Sequence, residues 1–200
     1  MHNSSFSRVS LEVLAPHLPR VQMPGRYTGG EYGSLPPLGV EEAFRGESHP
    51  PFSRELDRER EANGTDRRED AAASTVLVGV AFPDLYEIGM SNLAIKLLYR
   101  ELNAMEGVRC ERVFSPAEDF AEILTQENLP LHTLESGIPL SSLDMLGVSM
   151  GYELAATNIP KLLELGGIPI RKENRRDEDP LVLAGGPAIT NPAPFSPFFD

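Results

Sequence analysis

From Thr75 onward the apolar positions follow two alternating rhythms. Short runs rich in β-branched residues at 75–82, 108–114, 144–149 and 181–184 are separated by stretches of helical spacing near 88–105, 117–126 and 152–165. Strands that alternate with helices in this way mark successive βαβ units. The pattern therefore predicts an α/β fold, with a mostly parallel sheet and helices on both faces. Ile88, Leu93, Ile95, Leu97, Leu98 and Leu102 are expected on and around the buried face of the first helix. Ser115 ahead of Pro116 suits the cap of the second helix, and Gly166-Gly167 is a stop for the third. Between them, 129–140 reads as a connection with a short extended piece, 168–170 as a further short strand, and 171–179 as a charged loop.

Residues 1–74 lack this rhythm. They are rich in Pro, Gly and charge, with one short helical stretch at 10–17, where Leu11, Val13 and Leu14 form a stripe ended by Pro16 and Pro19. The run 41–74 mixes charges of both signs with few apolar anchors, as in Arg-Glu-Leu-Asp-Arg-Glu-Arg-Glu, and reads as a solvated helix or a disordered insert. Two regions follow: an irregular N-terminal arm over 1–74 and an α/β domain over 75–200. The final stretch 191–200 carries three prolines in an apolar setting. It reads as a chain cut at a linker, or as one built to dock against something further on.

Composition narrows the possible chemistry. The formal charge of −12 over 200 residues argues against a nucleic-acid partner, which requires a basic face. The single cysteine, Cys110, rules out an intrachain disulfide framework and cannot alone hold a zinc ion or an iron–sulfur cluster. That usage suits the cytoplasm. No apolar run approaches the roughly 20 residues that span a bilayer, and no basic and apolar leader opens the chain, so no membrane partner is expected.

Three turns of small residues follow directly on predicted strands. Pro83-Asp84-Leu85-Tyr86-Glu87-Ile88-Gly89 follows the first, Ser149-Met150-Gly151 the third and Gly185-Gly186-Pro187 the fourth. Parallel strands place such turns on one edge of the sheet, where open α/β folds bind ligands. A glycine in the first helical turn admits close approach of a ligand to the backbone, and paired glycines expose amides. Ordinary βα turns with Asp84 or Ser149 as caps explain the same residues. A phosphate-binding or nucleotide-binding enzyme is a third reading, although no Walker-type lysine and no paired nucleophile and base accompany the glycines.

The series Asp84-x-Tyr86-x-x-Gly89, Ser149-x-Gly151, Gly185-Gly186 resembles the Asp-x-His-x-x-Gly, Ser-x-Leu, Gly-Gly series of flavodoxin-like cobalamin-binding domains. The wording at 21–32, 80–91, 111–116 and 183–187 is similar to the N-terminal region of bacterial radical SAM proteins that carry a cobalamin-binding-like domain ahead of the radical core. The resemblance covers 18–35 and 75–200, and it implies a flavodoxin-like, Rossmann-like sheet. It also implies cobalamin as a cofactor, with Asp84, Tyr86, Gly89, Ser149, Gly151, Tyr152, Gly185 and Gly186 as the binding positions. A downstream radical SAM core, in cis or as a separate chain, is the implied partner.

Two departures qualify that picture. Tyr86 stands where His-on enzymes place their cobalt ligand, and a neutral phenol is a poor substitute for imidazole. Any cobalamin is then expected without a protein nitrogen on cobalt. The Cys-x-x-x-Cys-x-x-Cys triad that binds a 4Fe–4S cluster is missing from these 200 residues, so the cluster and S-adenosylmethionine are assigned to a downstream domain, and no residue here is expected to be catalytic by itself. A pure interaction domain that has lost the cofactor is the alternative. The run 26–32 is read either as a contact to the core or as a turn pinned on the domain, His132 as a structural histidine, and Cys110 as an inert thiol.

Overall fold

A computed structural model describes residues 8–29 and 75–200. The charged run 41–74 and residues 30–32 of the Arg-Tyr segment lie outside them. Four strands, β1 (Val76–Phe82), β2 (Val108–Phe114), β3 (Met145–Ser149) and β4 (Leu181–Gly185), form one sheet in the order β2-β1-β3-β4, with every pairing parallel. This is the order of a flavodoxin-like α/β fold over its first four strands. The short strand expected at 168–170 does not form. Ile168 is buried after the turn at Gly167, whose φ of +71° favours glycine, and the chain there is packed without a neighbouring ladder.

The first predicted helix is two. α2 (Tyr86–Ser91) ends at Asn92, whose extended backbone breaks the helix and whose side chain accepts from the Ala94 amide at 2.9 Å to cap α3 (Leu93–Asn103). Ile95 and Tyr99 face inward, while Ile88, Leu93, Leu97 and Leu98 remain exposed, contrary to the sequence expectation. The third predicted helix also divides. A 3-10 turn at Glu153–Asn158 precedes α5 (Ile159–Leu165), because Pro160 lacks an amide hydrogen and is tolerated only in a first helical turn. The helix between them, α4 (Glu118–Gln126), starts after Ala117 without a side-chain cap. The Ser115 hydroxyl does not cap it: the oxygen is buried without a hydrogen-bond partner among the described residues.

Strand alternation sends Val80, Phe82, Cys110 and Phe114 to one face, where they pack with Ile95 and Tyr99 of α3. Ala81, Val113, Leu146, Val148 and Val182 point to the opposite face, which α4 and α5 cover with Phe120, Ile123, Leu124, Ile159, Leu162 and Leu163. Residues 8–29 add a short helix, α1 (Leu11–Leu14), and bury Val9, Leu14 and Val21 in this second cluster. Of the expected stripe only Leu14 is buried; Leu11 and Val13 are exposed. The final stretch packs into the same domain, burying Phe195 and Phe199.

The outer edge of β2 is closed by residues 133–136. Leu134 donates its amide to the Arg112 carbonyl at 2.8 Å, and the Arg112 amide and Nε donate to Glu135 at 2.8 and 2.6 Å. Glu111, also buried, accepts from Arg109 Nε at 2.7 Å and from the hydroxyls of Thr133 and Ser136 at 2.5 Å. Buried charge needs such complete pairing. Among the described residues no helix is long and apolar enough to cross a membrane.

Candidate functional site at the sheet's C-terminal rim

Register places the strand ends together. Ala81 pairs with Val148 and Ser149 with Gly185, so the loops after β1, β3 and β4 leave the sheet at one rim. From β1 the chain turns toward β2, whereas from β3 it turns toward β4. The gap between them is the topological switch point, where open α/β sheets bind their ligands.

Several bonds tie the three loops to one another. Tyr152 donates its phenolic hydrogen to the Asp84 carboxylate, and Asn158 Nδ2 donates to the Pro83 carbonyl at 2.8 Å. Both bonds join the β1 loop to the segment after β3. Met150 donates its amide to the Gly185 carbonyl at 2.7 Å and accepts from the Ala188 amide at 3.2 Å, joining the β3 and β4 loops. Asp84 also accepts from the Leu85 amide through its side chain, and its carbonyl accepts from Ser115. Hydrogen bonding to Asp84 is the largest effect raising the Tyr152 phenol above its ordinary range.

The eight residues singled out by sequence separate into three groups. Asp84, Ser149, Gly151, Tyr152 and Gly185 are at the rim, and a Cβ on Gly185 would meet nothing within 4 Å, on Gly151 only Phe82 Cζ at 3.9 Å. Gly89 and Gly186 are small because the protein itself fills the space. A Cβ at Gly89 would stand 2.3 Å from the Phe114 ring, and at Gly186, where φ is +109°, 2.5 Å from the Met150 carbonyl oxygen. Tyr86 is packed edge-on against Phe114, with ring centroids 5.4 Å apart, in the cluster under α3. Asn158 is a rim-forming residue that sequence reasoning missed; it follows Thr157 inside a predicted helix and carried no turn signal.

A second concavity lies behind the rim. Arg26, Tyr27, Tyr86, Phe114, Ser115 and His132 surround a cavity of about 30 Å³, enough for a water molecule beside the Ser115 oxygen. The 26–29 segment is pinned here: Tyr27 stacks on Phe120 at 3.8 Å and Arg26 pairs with Glu87 at 2.7 Å. His132 is buried, which lowers its pKa, with Nδ1 3.0 Å from the Pro130 carbonyl. Burial also raises the Cys110 thiol far above its ordinary range. Among the described residues no group of three or more His, Cys, Asp or Glu side chains could hold a metal ion.

The donor set at the rim limits how a corrinoid could be held there. With Tyr86 half-buried against Phe114 and no imidazole among Asp84, Ser149, Gly151, Tyr152 and Gly185, the residues do not fit a corrinoid ligated through a protein nitrogen.

Comparison with known families adds the last element. A family model described as radical SAM proteins, N-terminal, matches residues 94–200, from α3 to the final residue. No curated protein and no solved structure matches the chain. The match spans over half of the 200 residues, and the chain belongs to the N-terminal family of radical SAM proteins.

Proposed function

We propose that this chain is the ligand-presenting N-terminal module of a radical SAM protein, with a corrinoid resting on the C-terminal rim of the sheet without a protein nitrogen on cobalt. The single observation that carries this reading is the convergence of Asp84, Ser149, Tyr152 and Gly185 at the switch point between β1 and β3. Gly185 and Gly151 would lie under the ring, and Ser149 and Tyr152 would hydrogen-bond its polar periphery. When bound, a corrinoid supplies cobalt-centred chemistry that no side chain provides. The module's own task is to hold and orient. Reductive cleavage of S-adenosylmethionine on a 4Fe–4S cluster belongs to the radical core, on which this module docks.

The test is to mix the purified chain with hydroxocobalamin, pass it through gel filtration and record the visible spectrum of the protein peak. Co-elution of corrinoid with a spectrum free of imidazole ligation supports the reading. A protein peak without corrinoid refutes the cofactor role. In that case a docking module without a cofactor, favoured by the exposed Leu98, Leu181 and Leu183, takes its place.

A further inference from the structure

The turn that carries Asp84 to the rim is held from two sides. Asp84 and Leu85 lead into the first turn of α2, where the amides of Ile88 and Gly89 donate to the Leu85 carbonyl at 3.1 and 3.0 Å, so residues 84–89 form one piece. On the rim side, Tyr152 holds the Asp84 carboxylate and Asn158 the Pro83 carbonyl. On the other side, Arg26 Nε donates to Glu87 Oε1 at 2.7 Å, joining a side chain 16% exposed to one 43% exposed. The Glu87 carboxyl is lowered below its ordinary range, chiefly by that bond. Arg26 therefore grips the same piece that presents Asp84.

Packing fixes only the far end of that piece. There Gly89 is pressed against the Phe114 ring and Phe82. The first turn of α2 instead backs, through Tyr86, onto the cavity bounded by Arg26, Tyr27 and Ser115, and a gap withholds the contacts that would otherwise set a side chain's place. The bond from the Ser115 amide to the Asp84 carbonyl, 3.0 Å long, fixes one point of the turn but not its rotation about that point. The arm that carries Arg26 is anchored independently of α2. Tyr27 stacks on Phe120 at 3.8 Å and accepts the Ala117 amide at 3.3 Å, the Gln22 amide donates to Asp119 at 2.8 Å, and Val21 is buried. A fixed cation thus meets the less firmly packed end of the helix.

We infer that Arg26 is a positioning residue for the rim: through Glu87 it sets where Asp84 stands, and through Asp84 the Tyr152 hydroxyl, so that the N-terminal arm belongs to the ligand site. The use of the rim for a corrinoid rests on the reading proposed above; the link from Arg26 to Asp84 and Tyr152 does not. Linkage makes the effect reciprocal. A ligand that requires Asp84 and Tyr152 in place strengthens the Arg26 pair by the same factor that the pair strengthens the ligand.

The experiment compares the wild type with Arg26→Gln, Glu87→Gln and Arg26→Lys, first without ligand. The Leu85 amide is followed in nitrogen–proton correlation spectra, and the Tyr152 phenol is titrated by carbon NMR on ring-labelled tyrosine, its signal assigned by its loss in Tyr152→Phe. Arg26→Gln and Glu87→Gln are expected to shift the Leu85 amide and to bring the Tyr152 ionisation down toward that of an ordinary phenol, because the bond to Asp84 is the largest effect raising it. Arg26→Lys keeps a cation within reach of Glu87 and should restore both readings. If both readings in Arg26→Gln and Glu87→Gln match the wild type, the inference is overturned. Hydroxocobalamin is then titrated into each protein, and the two neutralised variants are expected to bind about fivefold more weakly, the most that an exposed ion pair supplies. Affinity equal to that of the wild type also overturns the inference. A wild type that binds no corrinoid refutes the cofactor reading alone, since the shifts at Leu85 and Tyr152 are measured without it.

Discussion

The phenol of Tyr152 donates to the carboxylate of Asp84, and through that bond the loop after β1 is tied to the loop after β3 across the switch point. Tyr152 is 41% exposed, so the bond is a latch on the rim rather than part of the core. Tyr152→Phe removes it and is expected to lower stability by less than about 1 kcal/mol. The diagnostic readout is local: the Leu85 amide, which bonds to the other oxygen of Asp84, should shift in a nitrogen–proton correlation spectrum. Ultraviolet titration should find Tyr152 ionising above the usual phenol range. Because its folded-state pKa is raised, the latch is present below the ordinary phenol pKa and is lost as pH climbs through the raised one.

The glycines at the rim are expected to behave in two opposite ways. Gly89→Ala forces a carbon into the Phe114 ring and should cost about 1–3 kcal/mol, while Gly186→Ala adds left-handed strain to a clash with Met150 and should cost at least as much. Gly185→Ala and Gly151→Ala enter open space and should change stability by no more than about 0.5 kcal/mol. Urea denaturation of the four variants checks this.

Glu135 gives a pH dependence whose sign is fixed by burial. Desolvation is the largest effect on its carboxyl and pushes it up to about 7, against the pull of Arg112. A raised folded-state pKa means that the contribution of Glu135 is fully present below its ordinary pKa of 4.5 and declines as pH rises to about 7. His132, lowered by burial, gives a slope of the opposite sign below its ordinary value. The difference between the wild type and Glu135→Gln isolates the first group. In urea titrations at pH 5 and pH 8, the wild type is expected to lose stability relative to the variant at the higher pH.

Cys110 lies fully buried on β2 beneath α3, with its thiol shifted far upward by desolvation. Its reaction with Ellman's reagent should be undetectable in the native protein and rapid in denaturant, reporting the opening of the α3 face. Rapid modification without denaturant would contradict the packing described for that face.

Much of this was legible in the sequence because β1, β3 and β4 are short apolar runs that end in turn residues. The predicted range 108–114 matches β2 residue for residue, and the other three strands differ by one residue at an end. Helix interiors were less readable. Asn92 reads as one polar residue in a helical stretch, yet its cap divides the helix, and Pro160 moves the start of α5 seven residues beyond the predicted position. At the rim, the turns were visible as small-residue runs after strands. What sequence could not show was whether a glycine is small for a ligand or for a neighbour. That depends on Phe114 and Met150, which reach Gly89 and Gly186 only through the tertiary fold.

The central claim is that the rim between β1, β3 and β4 receives the ligand of this module. The most direct measurement is hydroxocobalamin retention through gel filtration by the wild type and by Gly185→Leu, whose Cβ meets nothing within 4 Å. The account predicts co-elution with the wild type and at least a roughly tenfold loss in the variant, about 1.4 kcal/mol of binding, at unchanged melting temperature. Equal retention by both proteins would contradict it.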